Sequence, residues 1–223
     1  MKKQNDLKRF AAKAALNYIK PIVSKDLILG VGTGSTTNYF IEELSSLKEE
    51  IYGAVASSKA TEDLLLKNNI KVFDLNDLSE LDIYIDGADE IDESLMMIKG
   101  GGGALTREKI VASSSKEFIC IADESKFVLS LGKFPLPIEI IPMSKSLLCK
   151  YITSIGGHPV LRDGFLTDNG NLIIDVYNIS IDDPLEMEKT LNNIPGVITC
   201  GLFATRKADR LILSGLKGVT MRI

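Results

Sequence analysis

An α/β fold with a second, smaller α+β domain is predicted for this chain of 223 residues, and three observations carry the prediction. Short, nearly continuous apolar runs alternate with helical patterns through the first 130 residues, as expected of a parallel sheet covered on both faces. Beyond Lys133 the order changes to strand, helix, two strands, helix, strand. The length exceeds a single domain of about 150 residues, so a large domain plus a small one fits.

The elements follow in order. Residues 6–19 place Leu7, Phe10, Ala11, Ala14 and Tyr18 on one helical face, with Asn5 or Asp6 as a cap and Pro21 as a stop. Strands are predicted at 27–31, 51–56, 81–85 and 118–122, separated by helices from Thr36, over 61–66 and from Ala104. In the second part, strands at 138–141, 159–162, 172–177 and 197–203 enclose helices at 144–155 and 184–193. Asn169-Gly170 in the turn Thr167-Asp168-Asn169-Gly170 is a hairpin signal, and Pro184 and Gly196 suit a helix start and exit. The order βαββαβ is that of a ferredoxin-like split βαβ unit. The apolar run Leu211-Ile212-Leu213 is expected to rejoin the first sheet as an edge strand. The domain division is therefore 1–130 plus 206–223 for the larger domain and 131–205 for the smaller.

Composition narrows the chemistry. With 45% hydrophobic and 25% charged residues the chain is an ordinary globular one, and no apolar stretch approaches the roughly 18 residues of a membrane span. The single histidine, His158, cannot build a multi-histidine metal site, which leaves Asp, Glu and Lys as proton carriers. It reads as a turn residue. Cys120, Cys149 and Cys200 form no CxxC pair and read as core thiols in a reducing cytoplasm. No apolar segment follows the basic amino terminus, so no secretory signal is expected. A net charge of −4 argues against a nucleic-acid partner, and no membrane partner is expected.

Three motifs occupy strand-to-helix loops, where ligands collect in open α/β sheets. In Gly30-Val31-Gly32-Thr33-Gly34-Ser35-Thr36-Thr37, glycines let backbone N–H groups approach an anion and hydroxyls add donors at the positive end of a helix. No GK[ST] follows and the GxGxxG frames break, so a monophosphate fits better than ATP or NAD; a tight turn with a Ser/Thr cap is the alternative. In Asp86-Gly87-Ala88-Asp89, followed by Glu90 and Asp92, the carboxylates can bind sugar hydroxyls, hold a divalent cation or transfer protons, or form a solvated acidic turn. In Lys99-Gly100-Gly101-Gly102-Gly103, four consecutive glycines permit backbone contact with a ligand or an unusual turn. Glu108 then falls in the first or second turn of the next helix, where a carboxylate also complements the helix dipole. Lys126, after the strand at 118–122, can reach a phosphate, and Ser57-Ser58-Lys59 either assist binding or start a helix.

With these motifs joined by Asp123-Glu124-Ser125-Lys126, Gly132-Lys133-Phe134-Pro135-Leu136-Pro137, Thr167-Asp168-Asn169-Gly170-Asn171 and Pro195-Gly196-Val197, the chain resembles the ribose-5-phosphate isomerase A family along nearly its whole length. The resemblance implies a Rossmann-like main domain and a ferredoxin-like small one. It also implies isomerisation of ribose 5-phosphate and ribulose 5-phosphate in the non-oxidative pentose phosphate pathway, with no metal or cofactor. A homodimer is implied, with a homotetramer as the alternative.

Carried over by resemblance, Thr33, Gly34, Ser35 and Thr36 form a substrate-binding loop, and Asp86, Gly87, Ala88 and Asp89 make further substrate contacts, as do Lys99, Gly100, Gly101 and Gly102. Glu108 is the proton acceptor and Lys126 a further substrate ligand. The catalytic set is Glu108, Asp86, Asp89 and Lys99, while Gly103 touches no implied role. A sugar-phosphate-binding sensor of the same superfamily is the alternative function; it would need an output module, and no spare segment for a helix-turn-helix is expected.

Overall fold

A computed structural model describes residues 2–223, with side chains from Gln4 onward. In chain order the elements are α1 (Lys2–Ile19), β1 (Ile28–Val31), α2 (Ser35–Leu44), β2 (Gly53–Ala56), α3 (Lys59–Lys67), β3 (Leu81–Asp86), β4 (Glu90–Ile91), β5 (Met97–Ile98), α4 (Leu105–Ser113), β6 (Ser115–Asp123), β7 (Leu136–Ile140), α5 (Lys145–Ser154), β8 (His158–Leu161), β9 (Leu172–Tyr177), α6 (Pro184–Asn192), β10 (Val197–Cys200), β11 (Leu202–Phe203), β12 (Arg210–Gly215) and β13 (Gly218–Arg222). No described helix is long and apolar enough to cross a membrane.

Packing divides the chain into two compact units: Met1–Ala88, Arg107–Phe127 and Ala208–Ile223, and Asp89–Thr106 with Val128–Lys207. The expected division left 89–106 in the larger domain. Pairing explains the difference. β5 pairs antiparallel with both β4 and β11, and the buried Glu90 carboxylate accepts the N–H groups of Gly132 and Phe134 at 2.8 and 2.6 Å. These contacts join 89–106 to the second unit.

The first unit is a six-stranded sheet in the order β13-β12-β6-β3-β1-β2, parallel except at β13. Counted within the unit, its five parallel strands run 2-1-3-4-5, one of the two common doubly wound orders, whose direction reverses between β1 and β3. Leu29, Val31, Ile83, Ile85, Ile119, Ile121 and Ile212 line one core with Ala11, Ala15, Leu16 and Ile19 of α1 and Phe40, Ile41 and Leu44 of α2. The run Leu211-Ile212-Leu213 does not form the edge. It lies in β12, paired parallel to β6, and β13 covers its other side. On the opposite face, the rings of Tyr84 and Phe118 lie 4.9 Å apart. Gly30 makes room for the Tyr84 ring and for Val111, because a Cβ there would sit 2.7 Å from both.

The second unit carries an antiparallel sheet in the order β10-β7-β9-β8. For a βαββαβ chain this is the 4-1-3-2 arrangement, and Leu148, Ile152 and Leu191 of its helices pack on Ile138, Ile140, Ile174 and Val176. Asp183 caps α6 by accepting the Glu186 N–H at 3.0 Å, with Pro184 opening the helix. Asn169-Gly170 lies at the tip of a longer connection than a two-residue hairpin, since β8 ends at Leu161 and β9 begins at Leu172. The loop turns inward instead: Thr167 Oγ1, Asn169 Nδ2 and Asn171 Nδ2 all donate to Oε1 of the buried Glu139. His158 is not a turn residue. It opens β8 opposite Tyr177.

Candidate active site

At the β1/β3 reversal the Gly30–Thr37 loop meets the end of β3. Tyr84 and Asp86 alternate onto the same sheet face as Gly30 and Gly32 of the neighbouring strand end, since residues two apart share a face. A Cβ on Gly32 would fall 1.9 Å from Asp86 Oδ1, so only glycine admits this carboxylate. Asp86 is fully buried. Its Oδ1 accepts the N–H of Thr33 at 3.0 Å, the N–H of Gly87 at 2.7 Å and the hydroxyl of Thr37 at 3.3 Å, and its Oδ2 accepts the Tyr84 hydroxyl. Asp86 thus ties β3 to the turn after β1.

Thr33 turns its hydroxyl into a cluster with Ser57, Ser58 and Thr61, at 2.9, 2.8 and 3.1 Å, and Thr61 in turn donates to the Gly32 carbonyl at 2.7 Å. The expected helix start at Ser57-Ser58-Lys59 is present, with Ser58 capping α3 through the Thr61 N–H. Its hydroxyls also brace the loop. Gly34 and Ser35 stay exposed and Thr36 half-buried. No Ser or Thr caps α2. Its N-cap is Gly34, at φ 132°, which offers no side chain, so no cap side chain occupies the first helical N–H groups.

Two cations belong to the same unit. Lys8 of α1 donates from Nζ to Ser35 Oγ at 2.9 Å. Lys126 closes a short turn after β6 whose cap is Asp123, with Asp123 Oδ1 accepting the N–H and hydroxyl of Ser125. Lys8 was not singled out in the sequence. Its register on the amphipathic α1 carried no sign that the helix start lies beside the glycine loop.

Glu108 lies in the first turn of α4 and is buried, 4% exposed. Burial, followed by the negative charges of Asp86 and Glu108, holds the Tyr84 phenol well above its usual pKa of 10.0. Tyr84 therefore stands within electrostatic reach of both carboxylates and keeps its proton. The sequence presents it only as an apolar strand residue; its two-residue offset from Asp86 was the available signal.

In the second unit, Lys99 is buried beside Phe203, with its Nζ 5.6 Å from the ring centroid, and its N–H is held by the Gly201 carbonyl at 2.9 Å. Asp89 is half-buried, and its Oδ2 accepts the Gly101 N–H at 2.8 Å. At the far end of the glycine loop, Thr106 donates its hydroxyl to Glu139. The acidic run is not a single cluster. Asp86 and Asp89 bind the groups above, Glu90 holds Gly132 and Phe134, and Asp92 Oδ1 accepts the N–H groups of Ser94 and Met96 in a turn. Gly103, to which the resemblance gives no role, is pressed against Phe165: a Cβ there would lie 2.2 Å from the ring. Cys120 and Cys200 are buried, while Cys149 is only partly so.

Comparison with known proteins finds relatives over nearly the whole chain. A family model described as Ribose 5-phosphate isomerase A (phosphoriboisomerase A) matches residues 53–218. Ribose-5-phosphate isomerase A of Histophilus somni is 57% identical over 216 residues, covering 96% of this chain and 97% of its own, and that of Pasteurella multocida is 56% identical over the same length and coverage. Among solved structures, ribose 5 phosphate isomerase A from Neisseria gonorrhoeae superposes with a TM-score of 0.93 at 49% identity, covering 98% of this chain and 96% of that one. A D-ribose-5-phosphate isomerase in complex with phospho-erythronic acid gives 0.91 at 39% identity, covering 97% of each chain.

Proposed function

The chain belongs to the ribose 5-phosphate isomerase A family, and from that membership we propose that it interconverts D-ribose 5-phosphate and D-ribulose 5-phosphate through an enediolate, as a step of the non-oxidative pentose phosphate pathway. Relatives that match over nearly their full length favour the isomerase over a sensor. The observation that carries the mechanism is Glu108, a buried carboxylate in the first turn of α4 directly after the glycine loop.

Aldose–ketose isomerisation moves one proton between adjacent carbons, so a single base can serve both. Glu108 removes the C2 proton of open-chain ribose 5-phosphate and returns it to C1, a contribution of roughly 10² to 10⁴-fold. The ammonium of Lys99 and the N–H groups of Gly100, Gly101 and Gly102 stabilise the negative charge that develops on oxygen. Asp86 and Asp89 serve proton movement between oxygens and ring opening. The half-buried Asp89 is the better placed to touch the sugar, whereas the fully buried Asp86 already accepts four donors and holds Gly87, Thr33 and the loop in position. Gly34, Ser35, Thr36 and the start of α2 hold the phosphate with Lys8 and Lys126, and that binding energy positions the reacting carbons. Phospho-erythronic acid, bound by a relative, supports this reading, because its carboxylate next to a hydroxylated carbon resembles the planar enediolate. The working protein is a cytoplasmic homodimer, or a homotetramer.

The test follows ketose formation from ribose 5-phosphate by purified protein. Glu108→Gln is expected to lower kcat at least 10²-fold with KM little changed; near-normal turnover removes Glu108 from the role. Chelator leaves activity intact in this mechanism, and a loss restored by Mg²⁺ would make the acidic loop a metal site instead.

A further inference from the structure

Four successive glycines have no side chains to set the rotation of their peptide planes, yet the loop after Lys99 has to present defined N–H groups. A residue from a distant hairpin meets this need. Arg162, just past β8, donates from Nε and Nη2 to the two carboxylate oxygens of Asp175 on β9, at 2.8 and 2.5 Å. This two-point pairing fixes the guanidinium plane. Its remaining nitrogen, Nη1, reaches the carbonyl oxygens of both Gly100 and Gly101 at 3.2 Å each.

The Gly100–Gly101 peptide is therefore gripped at both ends, by Arg162 and the Gly103 N–H on its carbonyl and by Asp89 Oδ2 on its N–H at 2.8 Å. In a trans peptide the C=O and N–H point in opposite directions, so the guanidinium sets the direction of the donor that holds Asp89. Its grip on the Gly101 carbonyl turns the Gly102 N–H away from Arg162 in the same manner. A cation on these carbonyls also polarises the peptides and strengthens their N–H groups as donors.

We infer that Arg162, oriented by Asp175, is a positioning residue for the isomerisation: it fixes the peptide planes of the glycine loop so that Asp89 and the Gly102 N–H are held for the enediolate. The inference rests on the isomerase reading above. Lysine cannot replace Arg162, because a single ammonium lacks the fork that binds Asp175 and the loop together. The loop is tied independently at Lys99 N–H to Gly201, at Gly103 N–H to the Gly100 carbonyl and at Thr106 to Glu139, so losing Arg162 loosens the middle of the loop without releasing the rest.

The experiment compares wild type, Arg162→Ala, Arg162→Lys and Asp175→Asn for kcat, KM, affinity for phospho-erythronic acid and response to methylguanidinium. Arg162→Ala is expected to lower kcat on the order of 10²-fold while KM stays within about threefold. Affinity for phospho-erythronic acid should fall in step with kcat. Methylguanidinium should restore part of the Arg162→Ala rate and leave wild type unchanged, and Arg162→Lys should stay impaired. Asp175→Asn keeps the arginine but loosens its plane, and should show a smaller loss of the same kind even where Arg162→Ala does not fold. An active wild type with kcat within about twofold in both Arg162→Ala and Asp175→Asn overturns the positioning role alone. A rate loss that methylguanidinium does not relieve, with unchanged affinity for phospho-erythronic acid, also overturns it. A wild type inactive on ribose 5-phosphate overturns the isomerase reading and this inference with it.

Discussion

Tyr84 donates its phenolic hydrogen to Oδ2 of Asp86, two residues further along β3 and on the same sheet face. The pair is buried, and the tyrosine is kept neutral by burial and by the charges of Asp86 and Glu108. Asp86 in turn holds Thr33 and Gly87 through their N–H groups. The end of β3 and the loop after β1 are thereby one hydrogen-bonded assembly.

Tyr84→Phe removes the donor and keeps the ring. Loss of a hydrogen bond to a carboxylate should cost about 2 kcal/mol of stability near neutral pH. The raised pKa also fixes the sign of a pH effect. Below the usual tyrosine value of 10.0, Tyr84 is protonated both folded and unfolded, and its contribution is fully present. As pH rises past that value the unfolded tyrosine ionises while the folded one does not, and stability is lost. The stability gap between wild type and Tyr84→Phe should therefore narrow above about pH 10. Denaturant midpoints measured across that range check it, and a constant gap would mean that the folded phenol ionises normally.

Gly32→Ala should displace Asp86, because the added methyl would overlap its carboxylate at 1.9 Å. With Asp86 shifted, Thr33 and Gly87 lose their common acceptor. A kcat reduction on the order of 10²-fold is expected, with far-UV dichroism largely retained. Full activity in the folded variant would show that the site does not depend on this close approach.

Gly103 and Phe165 should behave as a coupled pair. Gly103→Ala suffers twice, from a φ of 82° and from the Phe165 ring. Overpacking of this kind costs about 1–3 kcal/mol, on top of backbone strain. Removing the ring with Phe165→Ala should recover part of that loss in the Gly103→Ala background. A double-mutant cycle on melting free energies should show at least about 1 kcal/mol of coupling; additive effects would mean that the loop simply moves aside.

The order of strands and helices was legible because apolar periodicity is a local property. The runs at 81–85 and 172–177 became β3 and β9, and the βαββαβ order became the 4-1-3-2 sheet. The glycine loops were legible as well, because glycine clusters are rare and have few physical uses. Two short strands, β4 and β5, are not legible in the sequence: Glu90–Ile91 and Met97–Ile98 are too brief for any period to show. Their pairing is what attaches 89–106 to the second unit, and the apolar run 211–213 does not by itself reveal that Gly218–Arg222 folds back over it.

The sequence by itself determined the α/β class, the smaller βαββαβ unit, and the loops that carry Thr33, Asp86, Asp89, Lys99 and Glu108. Only the tertiary structure decided what holds them. Asp86 on the N–H of Thr33, Lys8 on Ser35, Glu139 under the Thr167–Asn171 turn and Arg162 on the carbonyls of Gly100 and Gly101 are pairings between residues far apart in the chain. Side-chain periodicity is set by neighbours within a few residues, whereas these contacts depend on strand register and on which loop folds over which. No local pattern encodes that choice.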